Sequence, residues 1–170
     1  MTMLLFGTAI GTCGVRWSEA GISEVLMPRS RGLTGRQFEA SSDVPDRVGR
    51  AVTDMVALLD GEQRDLRWVA LDDRHVDAFR RRVYAATREI APGSIASYGE
   101  VARAVDEPRA AREVGVALAQ NPFPIIVPCH RVLSAGGALH GFSALGGIAT
   151  KRRMLEIERA PGFTQEALFA

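Results

Sequence analysis

The sequence contains few of the residues that commonly carry covalent or metal chemistry. Its 170 residues include two cysteines, three histidines, one lysine and one asparagine. Two cysteines cannot build a disulfide framework, and a reducing, cytoplasmic compartment fits that usage best. The cysteines and histidines also lack the paired spacing of a structural zinc site, so we expect no metal.

Long apolar runs and a strong charge of one sign are absent too. No stretch is as long as a membrane span, and the apolar start from Met1 to Val15 has no basic residue ahead of it, so no signal peptide is predicted. Residues 1–74 carry nine arginines against eleven acidic residues, and residues 75–170 carry twelve basic against nine acidic residues. This imbalance is too mild to predict nucleic-acid binding by itself.

The first 74 residues predict a small sheet followed by a helix. Short β-like runs occur at Leu4–Phe6, Gly14–Trp17 and Ile22–Met27, and a hairpin turn joins the last two. Apolar residues recur at helical spacing over residues 46–60, and Leu66–Leu71 is a further strand candidate. The polar segment 72–75 looks like a boundary, so we predict lobes at 1–74 and 75–170.

The second half is predicted to be mostly helical. Helices are expected at about 76–90, 98–105, 109–120 and 148–158. Two short helices around a tight break indicate a helix-turn-helix. The second of them has an outer face of small or apolar residues, including Ala110, Val116 and Ala117. That face fits either an ordinary Ala-rich helix or a helix whose backbone lies close to another surface.

The segment Pro128-Cys129-His130-Arg131 carries the clearest chemical signal. It follows an apolar run, Ile125–Val127, that we interpret as strand-like. A thiolate is a nucleophile, and a neighbouring His or Arg can lower the pKa of a thiol. The other cysteine, Cys13, has no charged residue within two positions and reads as a core residue.

Adjacency of Cys129 and His130 poses a geometric problem. Neighbouring residues do not face one another on a helix or strand, so His130 can reach the thiol only through a turn or a water. The imidazole also needs a third group to hold its tautomer. Glu158 is a candidate because it projects between Met154 and Leu155, although a solvated carboxylate at a helix end fits equally well.

Between residues 76 and 158, the chain carries an ordered set of short motifs. They are Ser97-Tyr98, Ala110-Ala111-Arg112, Val114-Gly115, Asn121-Pro122, Ile126 to Val132, Gly137-Ala138, Gly141-Phe142-Ser143, Lys151 and Leu155 to Glu158. This ordered set closely resembles the catalytic domain of O6-alkylguanine-DNA alkyltransferases. The resemblance covers about half the chain, and residues 1–74 resemble the family's N-terminal lobe only loosely. It implies an α/β (α+β) fold, with a ribonuclease-H-like lobe followed by a winged-helix-like domain.

The resemblance implies direct reversal of DNA damage, without a cofactor and by a monomer that acts once. Cys129 would take the alkyl group from guanine O6, or from O4-alkylthymine. His130 would generate the thiolate through a water polarised by Glu158. Tyr98 would donate a proton to guanine N3, and Asn121 would brace the turn that carries the cysteine.

The same resemblance implies the substrate and DNA contacts. The carbonyls of Cys129 and Val132 would hold the exocyclic amine and the Ser143 N–H would approach O6. Arg112 would replace the flipped nucleotide in the base stack, with the second helix of the helix-turn-helix in the minor groove. The remaining expected contacts are Leu118 and Phe142 for the base and Ala110, Ala111, Ala117 and Tyr98 for duplex DNA.

Several positions depart from the family pattern. Glu113 follows Arg112 where a small apolar residue is frequent, and a carboxylate there would repel phosphates. The loop 143–147 is longer than in many relatives, Phe142 stands where Tyr is common, and the zinc ligands of some eukaryotic members are absent.

Two other functions stay open. An alkyltransferase-like protein would bind the lesion without transfer, but such proteins replace the cysteine that is present here. A cysteine hydrolase would need His75 or His140 near the thiol, and it would turn over.

Overall fold

The computed structural model describes residues 3–33, 43–139 and 147–164. Its first element is an antiparallel sheet whose strands β1 (Met3–Thr8), β2 (Gly11–Ser18) and β3 (Gly21–Leu26) lie in that order. Gly21 begins β3 with φ 148°, and a Cβ at this position would lie 2.4 Å from the Ala70 carbonyl oxygen. Only glycine therefore allows segment 70–71 to approach the sheet so closely.

Helix α1 (Asp46–Leu59) follows the sheet and agrees with the helix predicted at 46–60. Pro45 precedes its first turn, and Gly61, with φ 93°, follows its end. One face is buried in the core, and the sheet side of that core includes Val15 and Val25. The buried face consists of Val48, Ala51, Asp54, Met55, Ala57, Leu58 and Leu59.

The strand predicted at Leu66–Leu71 is wrong. A turn forms where the Val69 N–H bonds to the Leu66 carbonyl, and only Leu71 makes a bridge, parallel to Ile22. The guanidinium of Arg88 donates from one nitrogen to the carbonyls of Leu66, Arg67 and Val69, at 2.8–3.1 Å. Because a side chain satisfies these carbonyls, the segment needs no strand partner.

The second half contains the helices α2 (Ala78–Arg88), α3 (Tyr98–Ala104), α4 (Ala111–Ala119) and α5 (Gly147–Ile157). Two short parallel strands, β4 (Ala96–Ser97) and β5 (Val132–Leu133), join α3 to the segment after Cys129. The predicted α/β fold, with a sheet and helix before a mainly helical half, is confirmed. Among the described residues, no helix has the length and apolarity needed to cross a membrane.

Helices α3 and α4 form the predicted helix-turn-helix. Ser97 caps α3, accepting from the Glu100 N–H, while the Glu100 carboxylate accepts from the Ser97 N–H. This reciprocal capping box fixes where α3 begins. Asp106 takes a left-handed conformation, φ 60°, in the break, which redirects the chain toward α4.

The prediction that Ala117 faces outward is wrong. Ala117 is 2% exposed, because it lies on the same helical stripe as the buried Val114 and Leu118. The hydroxyl of Tyr84 on α2 donates to its carbonyl at 2.8 Å, which fixes α4 against α2. Val116, 53% exposed, is the apolar residue on the outer face instead.

One hydrophobic core runs through both halves of the chain. It includes Val15 and Met55 from the first half and Val83 and Ile126 from the second. The N–H of Val25 also donates to the Pro122 carbonyl at 2.9 Å, so the sheet supports the chain just before the reactive segment. The division at residues 74 and 75 stays a prediction.

Candidate active site

The chain enters the site through a tight turn, and the strand-like interpretation of Ile125–Val127 is wrong. Ile125 has φ 74°, and the Val127 N–H donates to the Phe123 carbonyl at 2.8 Å. Pro122 and Pro124 have no N–H to contribute to a sheet, so the segment coils before Cys129 rather than extending. Cys129 therefore follows a turn. A turn was one of the two ways, together with a bridging water, by which the adjacent His130 was expected to reach the thiol.

Asn121 links both ends of this turn through its side-chain amide. Its Nδ2 donates to the Val127 carbonyl at 3.0 Å, and its Oδ1 accepts from the Phe123 N–H at 2.8 Å. The Cys129 N–H donates to the same Val127 carbonyl at 2.7 Å. A single amide thus holds the backbone that leads directly into a 3-10 turn over Cys129–Arg131.

A buried cluster of His130, Arg131 and Glu158 lies behind the thiol. Glu158 follows the end of α5, and its Oε1 lies 2.8 Å from His130 Nε2. The Arg131 fork binds the same carboxylate through Nε to Oε2 at 2.9 Å and Nη2 to Oε1 at 2.8 Å. The Nη1 atom of Arg131 also donates to the carbonyl of Ile90, which lies just after the end of α2. Glu158 is 8% exposed, which rules out a solvated carboxylate.

The charges of this cluster determine the state of the imidazole. Burial opposes ionisation of Glu158, but His130 and Arg131 outweigh it and hold the pKa of the carboxyl at about 2. Burial lowers the pKa of His130, with the Glu158 carboxylate acting in the opposite direction. Because the Arg131 fork already balances the carboxylate charge, we assign a neutral imidazole that donates from Nε2 to Glu158.

That assignment makes Nδ1 of His130 a proton acceptor. Among the described residues, Nδ1 is one of the few buried polar side-chain atoms with no hydrogen-bond partner. Burial raises the pKa of the neighbouring Cys129 thiol, while the Asn121 side chain and the charge of Lys151 act to lower it. The site therefore holds a neutral thiol beside a neutral base, and a single water between them would complete a proton path.

Lys151 is part of this site, although no role was predicted for it beyond its place among the motifs that match the family. It is 1% exposed on α5, and its Nζ donates to the Val132 carbonyl at 2.7 Å. The same Nζ lies 5.8 Å from the centre of the Tyr98 ring. Its signal in the sequence was its rarity, because it is the one lysine among 21 basic residues.

The other expected site residues differ in their exposure. Tyr98 begins α3 and is half-buried, and burial raises the pKa of its hydroxyl; a thiolate at Cys129 adds to that shift. Val132 and Leu118 are buried at 0% and 6% exposure, whereas Arg112 is exposed on α4, next to the partly exposed Ala110 and Ala111. Phe142 and Ser143 lie outside the described residues. In the described ranges, no group of three or more His, Cys, Asp or Glu side chains is arranged to hold a metal ion.

Comparisons with known proteins agree with this geometry. Residues 78–160 match the family model described as "6-O-methylguanine DNA methyltransferase, DNA binding domain". The methylated-DNA–protein-cysteine methyltransferase of Mycobacterium bovis is 42% identical over 125 residues, which is 74% of this chain and 73% of the relative. The Mycobacterium leprae protein of the same name is 38% identical over 154 residues, covering 85% and 91%.

Solved structures give the same result over the whole chain. The structure of Mycobacterium tuberculosis OGT in complex with DNA matches with a TM-score of 0.76 and 32% identity, covering 100% of both chains. The fold and the site thus define an alkyltransferase class built around one cysteine. This chain belongs to the O6-methylguanine-DNA methyltransferase family.

Proposed function

We propose that this protein repairs DNA by transferring an alkyl group from guanine O6 to Cys129, irreversibly and once per molecule. The observation that carries the proposal is the buried imidazole of His130, the residue after Cys129. Its Nε2 is held by Glu158, and its Nδ1 has no hydrogen-bond partner among the described residues. A thioether is a poor leaving group, so the alkylated cysteine is the end of the reaction. Methyl transfer from O6-methylguanine is the reaction to test first.

The transfer step balances within the protein and the base. The thiol proton of Cys129 passes through a water to Nδ1 of His130, and the sulfur bonds to the alkyl carbon. The bond from that carbon to O6 breaks, and its electron pair enters the purine. A proton from the Tyr98 hydroxyl reaches N3, so neutral guanine leaves rather than an anion. Tyr98 is then a phenolate and His130 an imidazolium, and return of the His130 proton to Tyr98 through water restores both. The thiol proton is thus the one that guanine gains, and no cofactor is required.

The remaining residues are proposed to position the chain and the DNA. Asn121 braces the reactive turn, and Lys151 holds the Val132 carbonyl while placing positive charge near the thiol. A carbonyl has two lone pairs, so Val132 can still accept from the guanine amine. Ser143 is proposed to donate to O6, with Phe142 and Leu118 beside the base.

Duplex DNA is proposed as the partner, with α4 in the minor groove. The target must leave the stack because a thiol cannot reach O6 within it. Arg112 is exposed at the first turn of α4 and has the reach to fill the gap, while the small Ala110 and Ala111 let the backbone come close. We assign the protein to the cytoplasm, where reducing conditions keep both free thiols intact. We also propose that residues 1–74 act as a supporting lobe.

Mass spectrometry of the Cys129 peptide tests the proposed function. After incubation with a duplex containing O6-methylguanine, the peptide should gain one methyl group, with one equivalent of lesion lost per protein. An unmodified peptide with the DNA still methylated would refute transfer. Tight binding of the lesion in that case would favour a lesion-binding protein.

A second experiment tests the assignment of Arg112. The Arg112→Ala variant should repair lesions in duplex DNA more slowly while reacting normally with the free base O6-methylguanine. Equal losses on both substrates would contradict a role in replacing the flipped nucleotide.

A further inference from the structure

The outer face of α4 carries the carboxylate of Glu113, although a carboxylate on a DNA-binding surface is repelled by the phosphates. Val116 lies four residues after Arg112 and three after Glu113, so it connects these three exposed residues into one continuous outer surface of α4. A protein that binds DNA through such a surface contacts both the base edges and the sugar-phosphate backbone of the groove with its side chains. Glu113 therefore faces DNA whenever Arg112 does.

Within the part of the chain that the structure describes, Glu113 has no partner that would explain its presence. It borders two hollows beside α4, one lined by Arg82 and Arg109 and the other by Arg80 and Arg112. Arg80 is paired with Asp77 and Arg82 with Glu107. Among the described residues, no hydrogen bond or ion pair involves the Glu113 carboxylate, although two arginines line each of the hollows that it borders. Its position in the first turn of α4 favours the helix only modestly.

The chemistry of the minor groove restricts what an ionised carboxylate can bind there. Adenine N3 and thymine O2 are acceptors, and the one donor on the base edges is the 2-amino group of guanine. A carboxylate accepts hydrogen bonds and cannot donate them. Over an A·T pair it would be desolvated and opposed by acceptors, whereas over a G·C pair it would gain a charge-assisted hydrogen bond.

We propose that Glu113 reads the guanine 2-amino group of a base pair beside the flipped nucleotide, so that lesions flanked by G·C pairs are repaired preferentially. The inference rests on the proposed function, and in particular on α4 lying in the minor groove. In this proposal Glu113 determines the preference for particular flanking base pairs, whereas the neighbouring Arg112 acts at every lesion.

The test compares single-turnover transfer from O6-methylguanine in four duplexes that differ in the flanking pairs. These pairs are G·C, A·T, inosine·C, which lacks the 2-amino group, and 2,6-diaminopurine·T, which adds it to an A·T pair. The wild-type protein should react about tenfold faster with the two duplexes that carry the amine, at limiting DNA concentration. A preference for G·C that survives in inosine·C would place the reader in the major groove and overturn the proposal.

Three variants separate reading from other effects. Glu113→Ala should remove the preference for flanking pairs that carry the 2-amino group. For each duplex, the ratio of the wild-type transfer rate to the variant rate cancels differences in how easily the flanking pair opens. Glu113→Gln should react faster with A·T flanks than the wild type does, because its amide can also donate. Glu19→Gln changes net charge equally at an exposed turn of the first lobe and should keep the preference.

The outcomes distinguish the two levels of the hypothesis. Equal gains for Glu113→Ala on all four duplexes would show simple repulsion of phosphates and overturn the reading role. Equal wild-type rates on all four would also overturn it while leaving the repair function intact. Absence of transfer from any duplex would overturn both.

Discussion

Cys13 and Cys129 are both free, buried thiols, yet their surroundings differ in every other respect. Cys13 lies in β2 at 0% exposure, and burial raises the pKa of its thiol to about 11, with a weak opposing contact from the Thr8 hydroxyl. Cys129, at 8% exposure, is also desolvated, but Asn121 and the charge of Lys151 lower the pKa of its thiol, and the next residue, His130, offers an acceptor at Nδ1. Burial suppresses the thiolate in both places, so the neighbouring groups decide which thiol reacts.

The imidazole next to the reactive thiol avoids a net charge from the groups behind it, because Arg131 balances Glu158. The charge of Lys151 acts on the thiol itself and lowers its pKa. A neutral imidazole then remains to take the proton when substrate arrives. The reactive thiol can therefore stay protonated until the base is in place, which protects it from oxidation.

The largest expected effect separates the two cysteines directly. Cys129→Ser should abolish methyl transfer from a lesion-bearing duplex while lesion binding persists, because serine lacks a nucleophile of comparable strength. Cys13→Ser should keep the transfer rate per folded molecule and lose only stability, since it buries a hydroxyl in the core. Labelled methyl transfer and thermal melting measure these two outcomes. Loss of folding in Cys129→Ser would indicate a mainly structural cysteine.

The next effect concerns the base behind Cys129. Glu158→Gln should slow transfer by about 100-fold, because the imidazole loses its negative partner and its fixed tautomer. Arg131→Lys should slow transfer by about tenfold, since an ammonium keeps the charge but cannot form two parallel hydrogen bonds with the carboxylate.

Nitrogen NMR of His130 serves as the control for these variants. The wild-type ring should carry its proton on Nε2, and Glu158→Gln should alter that signal in a folded protein. An unchanged tautomer with reduced activity would contradict the assigned role of Glu158.

A smaller effect is expected from the charge of Lys151. Lys151→Met should raise the pKa of the Cys129 thiol and slow its alkylation by iodoacetamide about tenfold near neutral pH. Cys13 in the same molecule is the internal control, and it should stay unlabelled until the protein unfolds. Equal labelling of Cys129 with and without the lysine would show that its charge does not reach the sulfur.

The smallest effect is on stability as a function of pH. His130 and Glu158 both have lowered pKa values in the folded state, so both favour folding at higher pH and lose that contribution on acidification. The free energy of unfolding should fall below pH 6.5 as the unfolded state protonates histidine. It should fall again from pH 4.5 toward 2, by about 3 kcal/mol for the carboxyl.

Denaturant titrations across this range, with Glu158→Gln as the reference, measure the second step. The variant has no titrating carboxyl at this position and should lack that step. A stability that is constant from pH 4.5 to 2 in the wild type would contradict the pairing of Glu158 with Arg131.

Local patterns predicted the elements that depend on local physics. The capped start of α3, the break before α4 and the amphipathic stripe of α1 are each specified by residues a few positions apart. The errors arose where a distant group satisfies the backbone. Arg88 replaces a strand partner for segment 66–69, and Asn121 with two prolines coils the Ile125–Val127 run.

Helical periodicity was least reliable for small residues. Residue type does not decide which side of α4 Ala117 faces, because alanine is tolerated both in a core and on a surface. Its burial follows from its place on the stripe of Val114 and Leu118, and the Tyr84 hydroxyl on α2 donates to its carbonyl. Similarly, the spacing of Arg131, Ile90 and Glu158 in the sequence does not indicate that the Arg131 guanidinium binds both the Ile90 carbonyl and the Glu158 carboxylate.

The sequence by itself determined that one cysteine in a Pro-Cys-His-Arg segment carries the chemistry, and that a helix-turn-helix precedes it. Order along the chain and residue type suffice for that, because nucleophile and base are neighbours. Only the tertiary structure decided which imidazole nitrogen is the base, that Arg131 balances Glu158, and that the charge of Lys151 lowers the pKa of the thiol. Those facts depend on side chains from 19 to 41 residues apart meeting in a dry interior, where desolvation makes each pairing decisive.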